Sequence, residues 1–343
     1  KPEKGKYKIQ VTGELWETIY FDKIGLVALD HPATAEVFVD ERLLPSPVPG
    51  YKIYQVRRKQ IPVAANDING LDLLPLIKEK DDRYVSCLKQ GKYQGITEMT
   101  KLTLDLGEVD PSQDLILFLN GWIFPTDASI NASISQSAAL EVIPPYLQGI
   151  NEEGEWETII ENLSFPMGKD KTIVADLSGK ISTADSRIRI CTNMEIYWDH
   201  IFFSNENTAL PVQSHSLNPI TADLHYRGFS HTFRKGGRYG PHWFDYSKVN
   251  STGQPWRDLL GNYTRYGDVL PLLTEADDKY IIKNAGDETS IEFNAEELPA
   301  LPEGWTRDFL IHSVGWVKDG DLTIQKQSIL IGENNPKTFK NQL

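Results

Sequence analysis

The chain is poor in cysteine and in long apolar runs, and it is short of positive charge. Its two cysteines, Cys87 and Cys191, allow at most one disulfide, which excludes a disulfide-stabilised scaffold. No apolar run approaches the roughly 18 to 20 residues of a membrane-spanning helix, so we expect no transmembrane segment. Thirty-five basic against 48 acidic residues give a net charge of −13, which argues against nucleic acid as a partner.

Familiar catalytic motifs are also missing: there is no GxSxG elbow, Walker A loop, GxGxxG or CxxC. The pairs Asp81–Asp82 and Asp277–Asp278 are candidates for a general acid and base. Adjacent side chains at a helix end point in different directions, however, and an active site is seldom needed twice. We therefore expect these pairs to form structural turns, and we assign no catalytic residue.

Strand signal dominates what the sequence does contain. Short β-branched and aromatic runs, mostly alternating with polar residues, are separated by Gly, Pro, Asn and Asp clusters. This pattern predicts a mainly β protein at sandwich spacing, with only short helices. The continuous apolar run Leu115 to Leu119 predicts a strand that is buried on both faces.

The sequence repeats itself. "DLLPLIKEKDDRY" at 72–84 and "DVLPLLTEADDKY" at 268–280 share eight identities in thirteen positions, and each predicts a short helical turn. "DLILFLNGW" at 114–122 matches "DFLIHSVGW" at 308–316, and "IYFDKI" at 19–24 matches "IYWDHI" at 196–201. In chain order, each copy then reads as an aromatic strand, a turn with paired Asp and a strand that ends in Gly-Trp. We infer an internal duplication.

A stretch without a second copy, residues 138–203, reads as successive strands and suits a jelly-roll sandwich. The apolar period is lost near residue 206, in the polar stretch "SNENTALPVQSHSLNP". We therefore predict a β-sandwich unit over 1–205, which holds the first copy and the jelly-roll strands, and a second β-rich unit over 206–343.

Five segments carry a resemblance to a known family: "GELWETIYFDKIGLVALDHP", "RIRICTNMEIYWDHIFF", "RYGPHWFDY", "YTRYGDVLPLL" and "GWTRDFLIHSVGWVKDGDL". They resemble, in the same order, the region that follows the FG-GAP repeats in bacterial ASPIC/UnbV-type proteins and related tetratricopeptide-repeat proteins. The resemblance implies an extracytoplasmic, galactose-binding-like β-rich module. It implies no reaction.

A local excess of basic and aromatic residues marks 213–245 as the candidate ligand site. Arg227 and Arg238 would be bidentate donors to an anionic sugar or a carboxylate, beside His242, and the stacking platforms would be Tyr239, Trp243 and Tyr246. The alternative is that these side chains only hold a long connection against the acidic sandwich. The histidine spacings match no zinc signature.

Asp319 and Asp321 stand at alternate positions in "GWVKDGDLT", a spacing that suits Ca²⁺ ligands, although a plain surface turn fits the same residues. The equivalent loop of the first copy offers only Asp127. Trp122 and Trp316 occupy matched strand ends, and for them we expect core packing.

These observations favour a non-catalytic, extracytoplasmic β-sandwich module that binds a glycan or a protein partner. Two alternatives stay open. One is a carbohydrate-active hydrolase or lyase, which needs paired carboxylates about 5 to 10 Å apart in a cleft. The other is a structural subunit of a larger surface or membrane-associated complex, which would expose a broad apolar patch.

Overall fold

The computed structural model describes residues 2–320 and 338–340, apart from 44–50, 111, 167, 183–184, 206–210 and 258. Strands make up 50% and helices 6%, so the mainly β class is confirmed. Neither α-helix found there has the length and apolar character needed to cross a bilayer. The strands are β1 Lys6–Thr12, β2 Glu17–Pro32, β3 Glu36–Val39, β4 Ile53–Val56, β5 Ala64–Asn66, β6 Ile96–Asp105, β7 Ile116–Ile123, β8 Tyr146–Ile150, β9 Trp156–Ile160, β10 Lys171–Asp176, β11 Arg187–Met194, β12 Ile196–Ser204, β13 Gln213–Leu217, β14 Pro219–Tyr226, β15 Phe229–Arg234, β16 His242–Ser251, β17 Asn262–Thr264, β18 Gly267–Asp268, β19 Ile281–Lys283, β20 Asp287–Asn294, β21 Trp305–Asp319 and β22 Thr338–Lys340. The helices are α1 Leu74–Ile77 and α2 Ala128–Ser135, with 3₁₀ turns at Leu270–Leu272 and Ala295–Glu297.

Two antiparallel sheets, β5-β6-β11-β8-β9 and β10-β7-β12, enclose the larger core, and we call this unit the first sandwich. Leu117 and Leu119 of β7 point into that core. Phe118 points the other way, where it stacks on Phe202 at 4.7 Å and lies under Phe38 of the β3–β4 hairpin at 5.2 Å. A strand covered on both faces has no polar side to present, which explains the continuous apolar run.

A further pair of sheets forms the second sandwich. One sheet is β1-β20-β14-β18, and the other is β13-β2-β19 with β21 also paired to β2. Its core includes Ile24 from β2, Leu224 from β14, Ile281 from β19, and Phe293 from β20.

The second sandwich is discontinuous in sequence. Its strand β2 pairs with β21 from Glu17 to Pro32 and, on its other edge, with β13 and β19. The first sandwich is inserted between β2 and β13. The pairing therefore places residues 6–32, which sequence analysis assigned to the unit 1–205, with the C-terminal strands. The stretch expected to be a polar linker contains β13.

Both copies of the repeated sequence form the same structure, which we call the duplicated motif. Each opens with an Asp, Asp72 or Asp268, whose Oδ1 accepts a hydrogen bond at 3.0 Å from the amide two residues later. A short helical turn follows in both. The second Asp of each pair, Asp82 or Asp278, has a φ of 63°. Equal positive φ values at matched positions support a common origin, because non-glycine residues seldom adopt them.

Matched aromatic rings hold each motif together. The ring pairs are Tyr197 stacked on Trp122 (centroids 4.7 Å apart), Tyr20 stacked on Trp316 (3.8 Å), Tyr84 edge-on to Trp122 (6.3 Å) and Tyr280 edge-on to Trp316 (6.4 Å). Trp122 is buried, whereas Trp316 is 48% exposed. Core packing is thus confirmed for Trp122 and wrong for Trp316, whose outer face meets solvent.

The elements of the motif come together in an order that the sequence did not suggest. The aromatic strand 196–201 packs with 72–84 and 114–122, and the aromatic strand 19–24 packs with 268–280 and 308–316. The aromatic strand is therefore last in one motif and first in the other. This relation is a circular permutation of the motif.

A buried aspartate at a strand bulge anchors each paired-Asp turn. The β12–β7 register shifts at Asp199, and the β2–β21 register shifts at Asp22. Oδ1 of Asp199 accepts a hydrogen bond from the amide of Asp81 at 3.3 Å, and Oδ1 of Asp22 accepts one from the amide of Asp277 at 3.1 Å. The turns expected at both Asp pairs are thereby confirmed.

The glycine of each Gly-Trp pair permits the close approach of the bulged strand. A Cβ at Gly121 would lie 2.6 Å from the carbonyl oxygen of Tyr197, and a Cβ at Gly315 would lie 2.3 Å from that of Tyr20. Both distances are below van der Waals contact, and in each case the obstacle is backbone.

We therefore expect Gly121→Ala and Gly315→Ala each to lower the free energy of unfolding by roughly 1 to 3 kcal/mol, measured by urea denaturation. Gly253→Ala is the matched control, because its Cβ meets only Ser251 Oγ at 3.6 Å. A loss at Gly121 and Gly315 no larger than the loss at Gly253 would contradict this assignment.

Candidate functional site

The predicted ligand residues lie on or beside the β15–β16 hairpin, whose loop crosses onto the first sandwich. Lys235 Nζ in that loop lies 2.9 Å from Asp82 Oδ1 and 2.7 Å from Asp170 Oδ2. Trp122 Nε1 donates a hydrogen bond to the carbonyl oxygen of Tyr239 at 3.1 Å. The hairpin therefore connects the two sandwiches through the paired-Asp turn of the first one, and this geometry favours the alternative of a connection held against the sandwich.

Arg227 is committed to an internal network. Its Nε lies 3.2 Å from Glu288 Oε2, and its NH1 lies 3.5 Å from Glu14 Oε1. It also donates to Ser230 Oγ at 2.9 Å and to the carbonyl oxygen of Tyr246 at 2.7 Å. A guanidinium with four partners in its own chain has few N–H groups left for an anionic ligand, and the ligand role of Arg227 stays a prediction.

The predicted stacking platform already carries cationic groups of the same chain. Lys235 Nζ lies 4.8 Å and Lys169 Nζ 5.8 Å from the ring centre of Trp243. Burial lowers the pKa of Lys169, against the raising effect of nearby carboxylates. Burial, helped by neighbouring cations, also lowers the pKa of His242. These residues form an interface that is already filled by their own contacts.

Three of the predicted ligand residues keep accessible groups. Tyr239 is 42% and Tyr246 58% exposed, and Arg238 stacks over Tyr239 with its guanidinium carbon 5.6 Å from the ring centre. They lie on the outer surface of the hairpin loop and strand, outside the cleft described below.

The predicted calcium residues are only partly described. Asp319 ends β21, and Asp321 lies outside the described residues. Asp127, at the equivalent place in the first copy, is the N-cap of α2, where its Oδ1 accepts a hydrogen bond from the amide of Ile130 at 2.8 Å. Within the ranges that the structure covers, no three His, Cys, Asp or Glu side chains form a metal-binding group. Calcium at Asp319 and Asp321 stays a prediction.

A cavity lies elsewhere, at the open side of the first sandwich. It has a volume of about 410 Å³, and we call it the inter-sheet cleft. Its depth is apolar, because core residues of both sheets form it. The lining residues there are Leu73, Val85, Leu102, Ile190, Ile196 and Trp198. Apolar depth of this size is typical of ligand sites.

Most polar groups at the rim of the inter-sheet cleft already have partners. Lys89 pairs with Glu98 at 2.5 Å, and Asp67 Oδ1 accepts hydrogen bonds at 2.8 Å from the amides of Asn69 and Leu71. Lys101 has no ion pair among the described residues. Its ammonium group is thus available to a ligand.

Cys87 contributes a thiol to the same rim. It is exposed, Cys191 is buried, and both are free. Burial, with the nearby charge of Asp67, raises the pKa of the Cys87 thiol. A raised pKa keeps the thiol protonated at neutral pH, which does not suit a nucleophile.

The duplicated motif shows what is unusual about the cleft. Trp198 and Cys87 correspond to Phe21 and Lys283 in the second copy. There Lys283 is buried, donates to the carbonyl oxygen of Val11 at 2.7 Å and lies 5.1 Å from the ring centre of Phe21. The gap beside Phe21 has no room for a water molecule. The same position is therefore closed in the second sandwich and open in the first.

Comparisons with family models, with curated proteins and with solved structures found no match to this chain.

The cleft was not predicted from the sequence, because the residues that line it are ordinary strand residues without a motif. A usable signal was present in the aligned copies, where a cysteine in "RYVSC" stands opposite a lysine in "KYIIK".

The hairpin contact makes a first prediction for this region. Lys235→Ala removes two ion pairs between the sandwiches, and we expect chymotryptic cleavage at Tyr239 to rise roughly fivefold, since the two partly exposed contacts of one lysine together contribute about 1 kcal/mol. Lys248→Ala is the control, because its partner Asp245 lies in the same hairpin. Equal cleavage of the two variants would show that Lys235 does not hold the hairpin.

Asp199 makes a second prediction, on pH dependence. Burial raises its pKa to about 6, above the unfolded value of about 3.9. Stability from this group is then full below pH ~4 and is lost as the pH rises through ~6. We expect Asp199→Asn to remove that loss and to exceed the wild type by about 1 to 2 kcal/mol at pH 8 but not at pH 4, measured by urea denaturation. Glu153→Gln, in an exposed turn, should show no such pH-dependent difference.

Proposed function

We propose that this chain is a non-catalytic binding module that holds a partner molecule in the inter-sheet cleft of the first sandwich. The observation that carries the proposal is the contrast between the two copies of one motif. The second copy packs solid at Phe21 and Lys283, whereas the first leaves about 410 Å³ open at Trp198 and Cys87. An open cleft with an apolar depth gives up packing contacts that the second copy keeps, so its presence in one copy alone favours a use.

The alternative of a hydrolase or lyase has less support. The paired acids are used by the duplicated motif itself. Three of the four carboxylates form ion pairs: Asp81 with Arg83, Asp277 with Lys279, and Asp82 with Lys235. The two carboxylates that line the cleft also have partners. Asp67 accepts hydrogen bonds from amides of its own turn, and Glu98 pairs with Lys89. Side chains with these structural duties are poor candidates for an acid and base pair.

A role as a subunit of a larger assembly has one observation in its favour. Strand β21 exposes several large apolar side chains, namely Phe309 (39%), Ile311 (57%), Trp316 (48%) and Val317 (50%). Exposed apolar residues on one strand are typical of a contact surface. On the resemblance alone, we place the module outside the cytoplasm. There, a contact surface on β21 in addition to the cleft would suit a surface protein with several parts.

The proposal is tested by filling the cleft. The full chain is applied to a glycan array and to a peptide array, with Cys87→Trp as the filled variant and Leu15→Trp as the control. Leu15 is 54% exposed and lies on the second sandwich. We expect the wild type and Leu15→Trp to bind the same probes with equal affinity. Cys87→Trp should bind them at least roughly tenfold more weakly, because the indole occupies the cleft.

Equal unfolding midpoints for the three proteins show that Cys87→Trp still folds. If the wild type binds nothing on either array, or if Cys87→Trp binds as well as Leu15→Trp, the cleft is not the binding site.

A further inference from the structure

One edge of the sheet at the inter-sheet cleft is incomplete. One edge of β6 pairs with β11. On the opposite edge of β6, strand β5 covers only Thr103–Asp105, and the segment 89–91 approaches only Ile96–Glu98. Between them, Met99–Leu102 has no strand pairing on this edge among the described residues. A gap of four residues thus interrupts an otherwise paired edge.

The cleft runs along this gap. Its lining includes five consecutive residues of β6, from Glu98 to Leu102. Consecutive side chains of a strand point to opposite faces of the sheet, so a cavity that touches all five must lie against the edge of the strand. The two ends of the cleft are closed by the turn Asp67–Asn69 and by Cys87–Lys89, each lining it with three consecutive residues.

A strand edge selects the chemistry of its occupant. Met99–Leu102 presents amide N–H and carbonyl groups along about 13 Å, at the spacing of a β-strand. An extended peptide backbone offers the complementary groups at the same spacing, and strand addition to a sheet edge is a common mode of peptide recognition. A sugar ring has hydroxyl groups but lacks this periodic alternation of donor and acceptor.

The depth of the cleft selects a side chain. Behind the edge, the space between the sheets is walled by Val85, Ile190, Ile196 and Trp198, all buried core residues. A strand added to β6 would direct alternate side chains toward this space. A large apolar residue there would fill the volume that the second sandwich fills with its own chain.

The rim of the cleft favours a ligand with a negative charge. Lys89 is neutralised by Glu98 at 2.5 Å, whereas Lys101, within the free stretch, has no carboxylate partner in the described part of the chain. An acidic residue beside the apolar one would pair with Lys101.

We propose that the inter-sheet cleft captures an extended peptide segment of a partner protein, which adds as a short strand to the free edge of β6. One large apolar side chain enters between the sheets, and an acidic side chain meets Lys101. This inference rests on the proposed function and narrows it to a peptide ligand.

The test uses the full chain and a library of acetylated, amidated heptapeptides, each with one large apolar residue at its centre. The best binders are remade with a single backbone N-methyl group at each position in turn. Only alternate N–H groups of an added strand face β6, so we expect N-methylation to weaken binding roughly tenfold at alternate positions and little at the others.

Hydrogen exchange gives a second readout that does not depend on affinity. With the peptide bound, at least one amide within Met99–Leu102 should exchange roughly tenfold more slowly. Amides of Ile291 and its β20 neighbours, in the second sandwich, are the control and should not change. Lys101→Glu should weaken acidic peptides and strengthen basic ones.

The outcomes separate the two proposals. Peptide binding that ignores the N-methyl position, or that leaves Met99–Leu102 unprotected, overturns strand addition. Glycan binding that Cys87→Trp abolishes, with no peptide bound, overturns strand addition and supports the cleft as a binding site. Binding that Cys87→Trp does not affect, or no binding at all, overturns both.

Discussion

The structure depends on one buried polar contact that occurs twice. In each duplicated motif, an aspartate at a strand bulge accepts a hydrogen bond from the backbone of the paired-Asp turn, and a Tyr and a Trp of the same motif stack on each other. Few alternative partners exist for a carboxylate in this position, so the contact fixes the turn, the bulge and the Gly-Trp strand relative to one another. The rest of each sandwich is built outward from this unit.

The two motifs differ in what their surroundings do with the same framework. In the second sandwich, β1 and β20 close over Phe21, and Lys283 fills the remaining space. In the first, the corresponding edge is interrupted, and a cleft opens beside Trp198. The same core is therefore closed in one copy and open in the other. The hairpin that joins the sandwiches rests on the paired-Asp turn of the open copy.

Much of the fold was predictable from the sequence, because the signals were local. Alternation gave the strands, eight identities in thirteen positions gave the duplication, and adjacent acids in both copies gave a structural turn. The grouping of the motif was not predictable in this way. Which aromatic strand packs with which turn depends on pairing across about 270 to 300 residues, as between β2 and β21, and no local pattern encodes it.

The candidate site was harder to predict for a different reason. The basic and aromatic stretch 213–245 attracted attention because it was unusual in composition, yet Arg227 and Trp243 are occupied by contacts within the chain. The cleft is lined by ordinary residues such as Val85 and Ile196, and it exists only because a strand is too short. Composition reports which side chains are present, whereas a missing backbone neighbour leaves no trace in it.

The insertion of one sandwich into the other orders events during synthesis. Strand β2 leaves the ribosome before the inserted unit, and its partner β21 follows about 270 residues later, a delay of roughly 15 to 60 seconds at ordinary elongation rates. The inserted unit, by contrast, is complete before β13 emerges. The nascent chain must therefore keep a sixteen-residue, largely apolar strand from pairing with the wrong edge until β21 has emerged.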